Sequence, residues 1–383
     1  MKILHVISSL APDRGGAAEI IPYLCIAAKR EGAEARMLTF SSSSYGGAVK
    51  IAEREGVSLI TAPSLRGPIG RIFLSREFKR KLLEQIAWAD IVQVHGLWEA
   101  PDWHAEWYAK RLRKKLVVMP HGSLESARMK KGFLKKVVVS SLLDRRLINT
   151  SDLVLATADS EIEGIRKHGI NARIDVIPLG LHLAPYASAM PNLSLLESMG
   201  IPSGNKVLLY FSRITPIKGL DLLAKAWSKI GNDFRKWTLL IVGPDDRGNT
   251  EEIKRVFTSL CREGSFIFHG PVYKEEKISL LASVDALVLP TRSENFSIAV
   301  AEAMASGKPV VCTKGAPWSC LNEANAGRWV DIESDAIEKG IRSIFNLTQN
   351  ERAEMGARAR KWVSENLDWS VIGRRMKDAY NSL

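Results

Sequence analysis

The chain has few cysteines and no long apolar run, and both scarcities narrow its class. Its four cysteines are scattered without a CxxC pair, which indicates a reducing compartment and gives no metal site. No stretch approaches the roughly 20 apolar residues of a membrane-spanning helix. The opening MKILHVISS is short, is interrupted by His5 and lacks a small-x-small cleavage site, so we interpret it as a buried first strand. We therefore expect a cytoplasmic protein.

Acidic residues are too few to balance the basic ones, and the formal net charge is +12. Residues 1–180 hold 28 Lys and Arg against 19 Asp and Glu, and the rest hold 26 against 23. Two segments, 66–83 and 128–147, mix basic and apolar residues at helical spacing. This pattern permits helices on the anionic inner face of a membrane, or ordinary helices with a solvated basic side. Because no nucleic-acid-binding signature accompanies these residues, we expect no nucleic acid partner.

The length of 383 residues and the ordinary composition indicate a globular protein of two domains. Short β-branched runs alternate with helical stretches over residues 1–182, a linker rich in Pro, Ser and Gly follows, and the alternation restarts over 190–367. This predicts two Rossmann-like, doubly wound parallel sheets in an α/β fold. The predicted strands of the second half are KVLLYFSRI, WTLLIVGP, SFIFHGPV, DALVLPT and PVVCT.

Polar and glycine-rich residues follow most of the predicted strands. In open parallel sheets, ligands bind beyond the carboxyl ends of the strands. If both sheets point these ends at each other, a cleft forms between the domains. The residues at these ends include Gly15, Gly16, His95, His121, Arg213, Gly243, Gly270 and Glu294.

The segment SRITPIKGLDLL places two cations, Arg213 and Lys218, between a strand and a helix. Two cations beside a helix N-terminus suit a multiply charged anion such as a diphosphate. Gly219 and the free amides of a later helix, predicted to begin near Phe296, favour this interpretation. The alternative is that both cations are ordinary surface charges. A Gly-Gly pair such as 15–16 likewise either admits a ligand or marks a tight turn.

The segment RSENFSIAVAEAMASGKP carries two glutamates eight positions apart. Glu294 lies in the predicted loop, where its carboxylate can accept hydrogen bonds from hydroxyls. Glu302 lies inside the predicted helix among alanines, where an unpaired charge is costly. A pair of ribose hydroxyls is a suitable partner, and a buried arginine is the structural alternative.

The segment HGLWEAPDWHAEWYAK concentrates aromatic residues after a first-half strand. Aromatic faces stack on sugar rings, so His95 and Trp98 are candidate acceptor contacts. Trp103 and Trp107 are four apart on a predicted helix, and we favour core positions for both. We expect no zinc site, because His95 and His104 lack a third ligand at a suitable spacing.

Glu294 and Glu302 form an E-x7-E motif. With SRITPIKGLDLL, FHGPV and GGAAEI, it resembles the retaining glycosyltransferases of family 4, which have the GT-B fold. The resemblance covers nearly the whole chain and is more specific in the second half. It implies transfer of a sugar from a nucleoside diphosphate sugar to an acceptor hydroxyl, with the anomeric configuration kept.

The resemblance also implies roles for individual residues. Glu294 would hold donor-sugar hydroxyls and Glu302 the ribose, while Arg213 and Lys218 would bind the diphosphate. The backbone amides implied to contact the sugar and phosphate are those of Asn295, Phe296 and Ser297. Asn295 stands where glycine is common in the family, so the choice of donor sugar is open, although the activity is not in doubt.

In the first half, His121 within MPHGSL matches the family's histidine near the reacting sugar. The segment after Gly270, including Val272, would meet the base. A last helix over about 368–383 is expected to cross back onto the first domain. The glycines expected at the donor are Gly15, Gly16, Gly243 and Gly270.

The family neutralises the leaving diphosphate with Arg, Lys and helix dipoles, so we expect neither a metal nor a cofactor. GPDDRG is not a convincing metal-binding motif. UDP-glucose is the donor that the family favours, and a glycan or lipid-linked glycan at the inner membrane face is the expected acceptor, in cell-surface polysaccharide synthesis. Two alternatives remain: a sugar-nucleotide epimerase of the same fold, and a basic protein that binds polyanions without turnover.

Overall fold

A computed structural model describes residues 1–11, 16–65, 73–124, 143–246 and 248–383. These residues divide into two compact units. The first unit consists of residues 1–180 with 369–383, and the second of residues 181–368. Each unit contains one wholly parallel sheet with helices packed against it.

The sheet of the first unit has seven strands in the order β3-β2-β1-β4-β5-β6-β7. The chain order reverses between β1 and β4, so this unit has the switch point of a doubly wound fold. Its strands are β1 (Lys2–Val6), β2 (Glu34–Phe40), β3 (Ser58–Ala62), β4 (Ile91–His95), β5 (Lys115–Met119), β6 (Leu153–Ala156) and β7 (Ile174–Val176).

The helices of the first unit bury one face each against this sheet or a neighbouring helix. In α3, Phe78, Leu82 and Ile86 recur every fourth residue and are fully buried, and Ser75 caps the first turn by accepting from the Phe78 amide. The last helix, α16, packs on α1. The helices are α1 (Gly16–Arg30), α2 (Gly47–Arg54), α3 (Arg76–Trp88), α4 (Ala100–Arg111), α5 (Arg145–Thr150), α6 (Asp159–Lys167) and α16 (Trp369–Asn381).

The sheet of the second unit has six strands in the order β10-β9-β8-β11-β12-β13, with its switch point between β8 and β11. Strand β9 is buried along its whole length, which is why it appears in the sequence as a continuous apolar run. The strands are β8 (Lys206–Phe211), β9 (Trp237–Val242), β10 (Phe266–His269), β11 (Ala286–Leu289), β12 (Val310–Thr313) and β13 (Gly327–Val330).

The helices of the second unit cover both faces of this sheet. A 3-10 turn, Pro216–Lys218, precedes α9, whose Leu220, Leu223 and Trp227 are buried. The helices are α7 (Ala184–Ala187), α8 (Leu193–Ser198), α9 (Leu220–Ile230), α10 (Asn249–Leu260), α11 (Lys274–Ser283), α12 (Ile298–Ala305), α13 (Cys320–Glu323), α14 (Ser334–Phe345) and α15 (Gln349–Asn366).

The predicted fold class, two Rossmann-like parallel sheets with helices, is confirmed. One strand, β13, was not predicted from the sequence. It is short and begins at Gly327, a residue that ordinarily signals a turn. Here the glycine serves close packing instead, because a Cβ at this position would lie 2.2 Å from the Val310 carbonyl oxygen.

The two basic segments are described only in part. Residues 66–72 and 125–142 lie outside the described residues, so the structure does not test the prediction of membrane-facing helices there. The described end of the first segment runs into α3, whose apolar side belongs to the core. Across the described ranges, no helix combines the length and the apolar character needed to cross a bilayer.

Candidate functional site

Lys218 and Glu294 form an ion pair at the switch point of the second unit. Lys218 ends the 3-10 turn after β8 and its side chain is 8% exposed, whereas Glu294 follows β11 and is 22% exposed. Since β8 and β11 are neighbours in the sheet, their following loops meet at its carboxyl edge. The structure therefore brings together two residues that are far apart in sequence, at the edge where doubly wound sheets bind ligands.

Gly219 holds the Lys218 loop against the end of β11. Its φ is +70°, and a Cβ on it would lie 2.0 Å from the Pro290 carbonyl oxygen. Only glycine combines this left-handed backbone with so close an approach. The glycine beside Lys218 thus fixes the distance between the two loops that carry the ion pair.

The loop that carries Glu294 is held by its backbone. The Glu294 amide donates to the Gly315 carbonyl at 2.7 Å, and a Cβ on Gly315 would lie 2.1 Å from the Thr291 carbonyl oxygen. This loop therefore packs directly on the residues after β12. The carboxylate of Glu294 is placed by the sheet and not by a mobile surface segment.

Helix α12 begins at Ile298, two residues later than predicted, because Ser297 has a left-handed backbone with φ of +70°. The Phe296 carbonyl accepts a hydrogen bond from Trp318 Nε1 at 2.5 Å, which anchors the turn before the helix. The first turn of α12 has no acidic residue, so its amide dipoles keep their positive potential. The turn of Asn295, Phe296 and Ser297 thus leads directly into a helix N-terminus.

Glu302 is 5% exposed and has two partners on other helices. Its Oε1 accepts from the Tyr186 hydroxyl at 2.7 Å and from Lys277 Nζ at 2.5 Å. The arginine considered as an alternative partner is therefore replaced by a lysine and a tyrosine. Sequence reasoning missed Lys277, although its place near the start of a helix after β10 put it at the ligand-binding edge.

Arg213 is placed differently from Lys218. Its side chain is 60% exposed and pairs with Asp246 at 3.2 Å. Gly243 permits contact between the ends of β8 and β9, because a Cβ on it would lie 1.9 Å from the Ser212 carbonyl oxygen. Beyond β10, Gly270 is exposed and Val272 is 4% exposed.

The first unit has a pocket of about 180 Å³ at its own switch point, beyond β1 and β4. Gly16 is the exposed first residue of α1, and Gly15 lies outside the described residues. The pocket is lined by Ile7, Ser8, Ser9, Ala18, His95, Gly96, Leu97, Glu99, Asp102, His121 and Ser123.

Three histidines run in a line into this pocket. His5 Nδ1 lies 2.9 Å from His95 Nε2, and His95 Nδ1 lies 3.0 Å from His121 Nε2. His5 and His95 are buried, and His121 is half-buried. Because both ring nitrogens of His95 contact histidines, it is a poor direct partner for an acceptor hydroxyl. Sequence reasoning treated His5 only as an interruption in an apolar run.

Asp102 and Asp144 are two buried carboxyls that sequence reasoning did not single out. Burial raises the pKa of Asp102 well above its usual value, and burial raises the pKa of Asp144 to about 6. Asp102 Oδ1 has no hydrogen-bond partner among the described residues, and Asp102 lines the pocket. Only its place within a tryptophan-rich segment could have drawn attention to it.

The tryptophans of that segment have different environments. Trp98 has a left-handed backbone, with φ of 76°, and its amide donates to Asp144 Oδ1 at 3.1 Å. Trp103 is half-buried, and its Nε1 donates to the same oxygen at 2.8 Å. Trp107 is 47% exposed, so the predicted core position is wrong for this residue. It lies on the outer face of α4, beside Arg111.

Among the residues that the structure describes, no group of three or more His, Cys, Asp or Glu is arranged to hold a metal ion. The charged groups at the carboxyl edge of the second sheet include the Lys218–Glu294, Lys277–Glu302 and Arg213–Asp246 pairs.

Comparisons with known proteins extend to both halves of the chain. Residues 14–184 match the family described as Glycosyltransferase Family 4, and residues 194–362 match that described as Glycosyl transferases group 1. The D-inositol 3-phosphate glycosyltransferase of Xylanimonas cellulosilytica is 24% identical over 96% of this chain and 92% of its own. The GDP-mannose:cellobiosyl-diphosphopolyprenol alpha-mannosyltransferase of Xanthomonas campestris is 24% identical over 100% of this chain and 97% of its own.

The crystal structure of Anabaena HepE in complex with UDP is similar to this fold, with a TM-score of 0.78 at 21% identity over 100% of both chains. Two doubly wound sheets and this likeness define the fold class as GT-B. The chain belongs to the family 4 glycosyltransferases: the Glycosyltransferase Family 4 model matches its first half and the Glycosyl transferases group 1 model its second, and it is a glycosyltransferase.

Proposed function

We propose that this glycosyltransferase transfers a hexose from a nucleoside diphosphate sugar, with UDP-glucose the first candidate, to a glycan or lipid-linked glycan acceptor. The anomeric configuration is retained and no metal ion is required. In this reaction the bond between the sugar C1 and the diphosphate oxygen breaks, and the acceptor oxygen bonds to C1. The acceptor proton passes to the leaving phosphate.

The observation that carries this proposal is the Lys218–Glu294 pair at the switch point of the second unit. A buried lysine beside a helix N-terminus attracts a diphosphate, and a carboxylate beside it accepts hydrogen bonds from sugar hydroxyls. The lysine would therefore bind the diphosphate of the donor, and the carboxylate would bind its sugar. Arg213, exposed on the loop just before Lys218, adds a second cation for the phosphates.

Glu302 is proposed to bind the ribose of the donor. Its carboxylate is already oriented by Tyr186 and Lys277, so a ribose hydroxyl would join an ordered acceptor. Two neighbouring segments supply the remaining donor contacts in this proposal: the backbone of Asn295 to Ser297 for the sugar and phosphate, and the segment of Gly270 and Val272 for the base.

Metal independence is proposed because protein charges are available for the leaving group. Lys218, Arg213 and the N-terminus of α12 together supply positive charge and backbone donors where the diphosphate would develop negative charge. Preorganised donors of this kind stabilise a transition state without reorganisation. In this proposal these groups, and not a divalent ion, stabilise the leaving diphosphate.

The pocket of the first unit is proposed to bind hydroxyl-bearing groups of the substrates. Its lining combines three serines with the buried carboxyl of Asp102 and the ring of His121. Such groups hydrogen-bond sugar hydroxyls. Trp98 is kept as a candidate for sugar stacking.

The relatives guide the choice of donors to test. The Xanthomonas relative is named for GDP-mannose, whereas the Anabaena structures contain UDP, glucose or UDP-glucose. Both nucleotides therefore belong in one panel. The acceptors named for the relatives include an inositol phosphate and a diphosphopolyprenol glycan, which supports testing a lipid-linked acceptor.

The test is release of nucleoside diphosphate from a panel of sugar nucleotides with EDTA present. We expect slow hydrolysis of one donor by the native protein and loss of this activity in Glu294→Ala and Lys218→Ala. A matched control is Lys229→Ala, which removes an exposed ion pair with Asp335 in the same unit and should retain full activity.

Several outcomes would contradict the proposal. Activity that is lost in EDTA and restored by a divalent ion would exclude metal independence. Conversion of the sugar nucleotide into an isomer, without release of diphosphate, would favour the epimerase. Binding of polyanions without turnover of any donor would favour a non-catalytic protein. For an active donor, NMR of the product's anomeric proton decides between retention and inversion.

A further inference from the structure

The three histidines of the first unit form a regular diagonal across its sheet. Strands β1, β4 and β5 are neighbours, and the register aligns His5 with Gln93 and His95 with Met119. Each following histidine, including His121, is thus two residues nearer the carboxyl edge than the one before. Because side chains alternate between faces with a period of two residues, His5 and His95 lie on one face of the sheet. His121 follows β5 in a turn, with φ of 52°, and its ring contacts that of His95.

Burial favours the neutral form of the inner two histidines, His5 and His95. Burial lowers the pKa of His5 to about 3, and burial with the neighbouring histidines lowers the pKa of His95 well below its usual value. A neutral imidazole carries one N–H and one bare nitrogen. His95 contacts a histidine through each of its nitrogens, so it donates to one neighbour and accepts from the other. The His5–His95 and His95–His121 hydrogen bonds must then point in the same direction along the line of three histidines.

His5, the histidine farthest from the pocket, distinguishes between the two directions. His5 Nε2 is buried and has no hydrogen-bond partner among the described residues. If each hydrogen bond pointed inward, from His121 toward His5, this nitrogen would carry an N–H with no acceptor. If they point outward, it is a bare nitrogen. Because buried N–H groups without a partner are rarer in native structures than under-used acceptors, the outward direction is favoured.

In the outward direction, His5 Nδ1–H donates to His95 Nε2, and His95 Nδ1–H donates to His121 Nε2. We propose that His5 and His95 are positioning residues that hold His121 in its Nδ1–H tautomer. In this tautomer Nδ1 of His121, a residue that lines the pocket, is a hydrogen-bond donor and not an acceptor. The effect of this tautomer on the reaction rests on the proposed role of His121 at the substrate. The tautomer itself does not depend on that role.

The direct test is NMR of protein labelled with 15N in the histidine rings, with His121→Asn used to assign the signals. We expect the native His121 to show a protonated Nδ1 and an unprotonated Nε2. A native His121 with its proton on Nε2 would overturn the inference. This readout needs no substrate, so it is independent of whether the proposed glycosyl transfer is correct.

Variants at His5 test the positioning role, since this buried residue cannot touch a substrate. His5→Phe keeps a ring but removes the donor, whereas His5→Asn keeps an N–H close to the place of Nδ1. We expect His5→Phe to give a mixture of His121 tautomers and to lower kcat about fivefold, the value of one hydrogen bond of about 1 kcal/mol. The KM for the donor should not change.

His5→Asn should restore the native tautomer and most of kcat. Circular dichroism and the affinity for UDP show whether each variant is folded. An unchanged tautomer in folded His5→Phe would overturn the positioning role, as would a kcat loss that His5→Asn reproduces in full. If His5→Phe fails to fold, the native NMR signals and His5→Asn still decide. Absence of turnover in the native protein would contradict the proposed function and not the tautomer.

Discussion

Lys218→Met is expected to destabilise the protein in the absence of any ligand. The substitution preserves the length of an apolar stem but leaves the carboxylate of Glu294 without its ion-pair partner. Removing one partner of a fully buried pair costs about 3 kcal/mol or more. Because the side chain of Glu294 is 22% exposed and regains some water, we expect a smaller loss of about 2 kcal/mol in the free energy of unfolding.

The double variant Lys218→Met/Glu294→Gln separates the pair from its individual charges. It removes both charges of the pair, so we expect its free energy of unfolding to lie within about 1 kcal/mol of the native value. Lys229→Met is the control, because Lys229 and its partner Asp335 are exposed. Its second partner, Glu338, keeps an ion pair with Arg342, so the loss of Lys229 should not measurably change stability.

The assay is urea unfolding of the whole chain, followed by tryptophan fluorescence, with the dependence on urea compared between variants. If Lys218→Met were as stable as the native protein, the ion pair would not be a buried one. If the double variant were as unstable as the single one, the loss would come from packing of the lysine stem and not from the unpaired carboxylate.

Three further predictions concern stability. Gly219→Ala should cost more in urea unfolding than Gly204→Ala, because both glycines have positive φ but only Gly219 would place its Cβ against a backbone oxygen, at 2.0 Å; equal losses would exclude the close approach. The stability of Asp144→Asn relative to the native protein should be greatest at pH 7 and should decrease as the pH falls from 6 to 4, since a folded pKa raised to about 6 favours the protonated form of Asp144; a pH-independent difference would contradict this. Tyr186→Phe should lower stability by about 1 kcal/mol through loss of its hydrogen bond to Glu302, and an unchanged transition would exclude that bond.

The sheets could be predicted from the sequence because each strand is a short β-branched run followed by a polar turn. The exception shows the limit: β13 begins with a glycine, and only its packing against Val310 makes that glycine part of a strand. Trp107 shows another limit. Its spacing from Trp103 fits a core face, but a helix with large residues on several sides does not reveal which side is inward.

The sequence predicts which residues follow a strand and so lie at the ligand-binding edge. It does not predict which of these residues contact each other, because that depends on the order of the strands in the sheet. Lys218 and Glu294 each follow a predicted strand, so both were expected at the ligand edge. Their ion pair follows from β8 and β11 being neighbours, which the sequence does not state. The line from His5 to His121 likewise needs the register of three strands, and each of its residues alone resembles an ordinary buried histidine.

The most direct test of the central claim is calorimetric titration of UDP and GDP, with EDTA present, into the native protein and Lys218→Met. We predict that the native protein binds one of these nucleotides and that Lys218→Met binds it about tenfold or more weakly, as expected for the loss of a charge-assisted hydrogen bond. Lys229→Met should bind like the native protein. Equal affinity of native protein and Lys218→Met would contradict a diphosphate site at the switch point of the second unit.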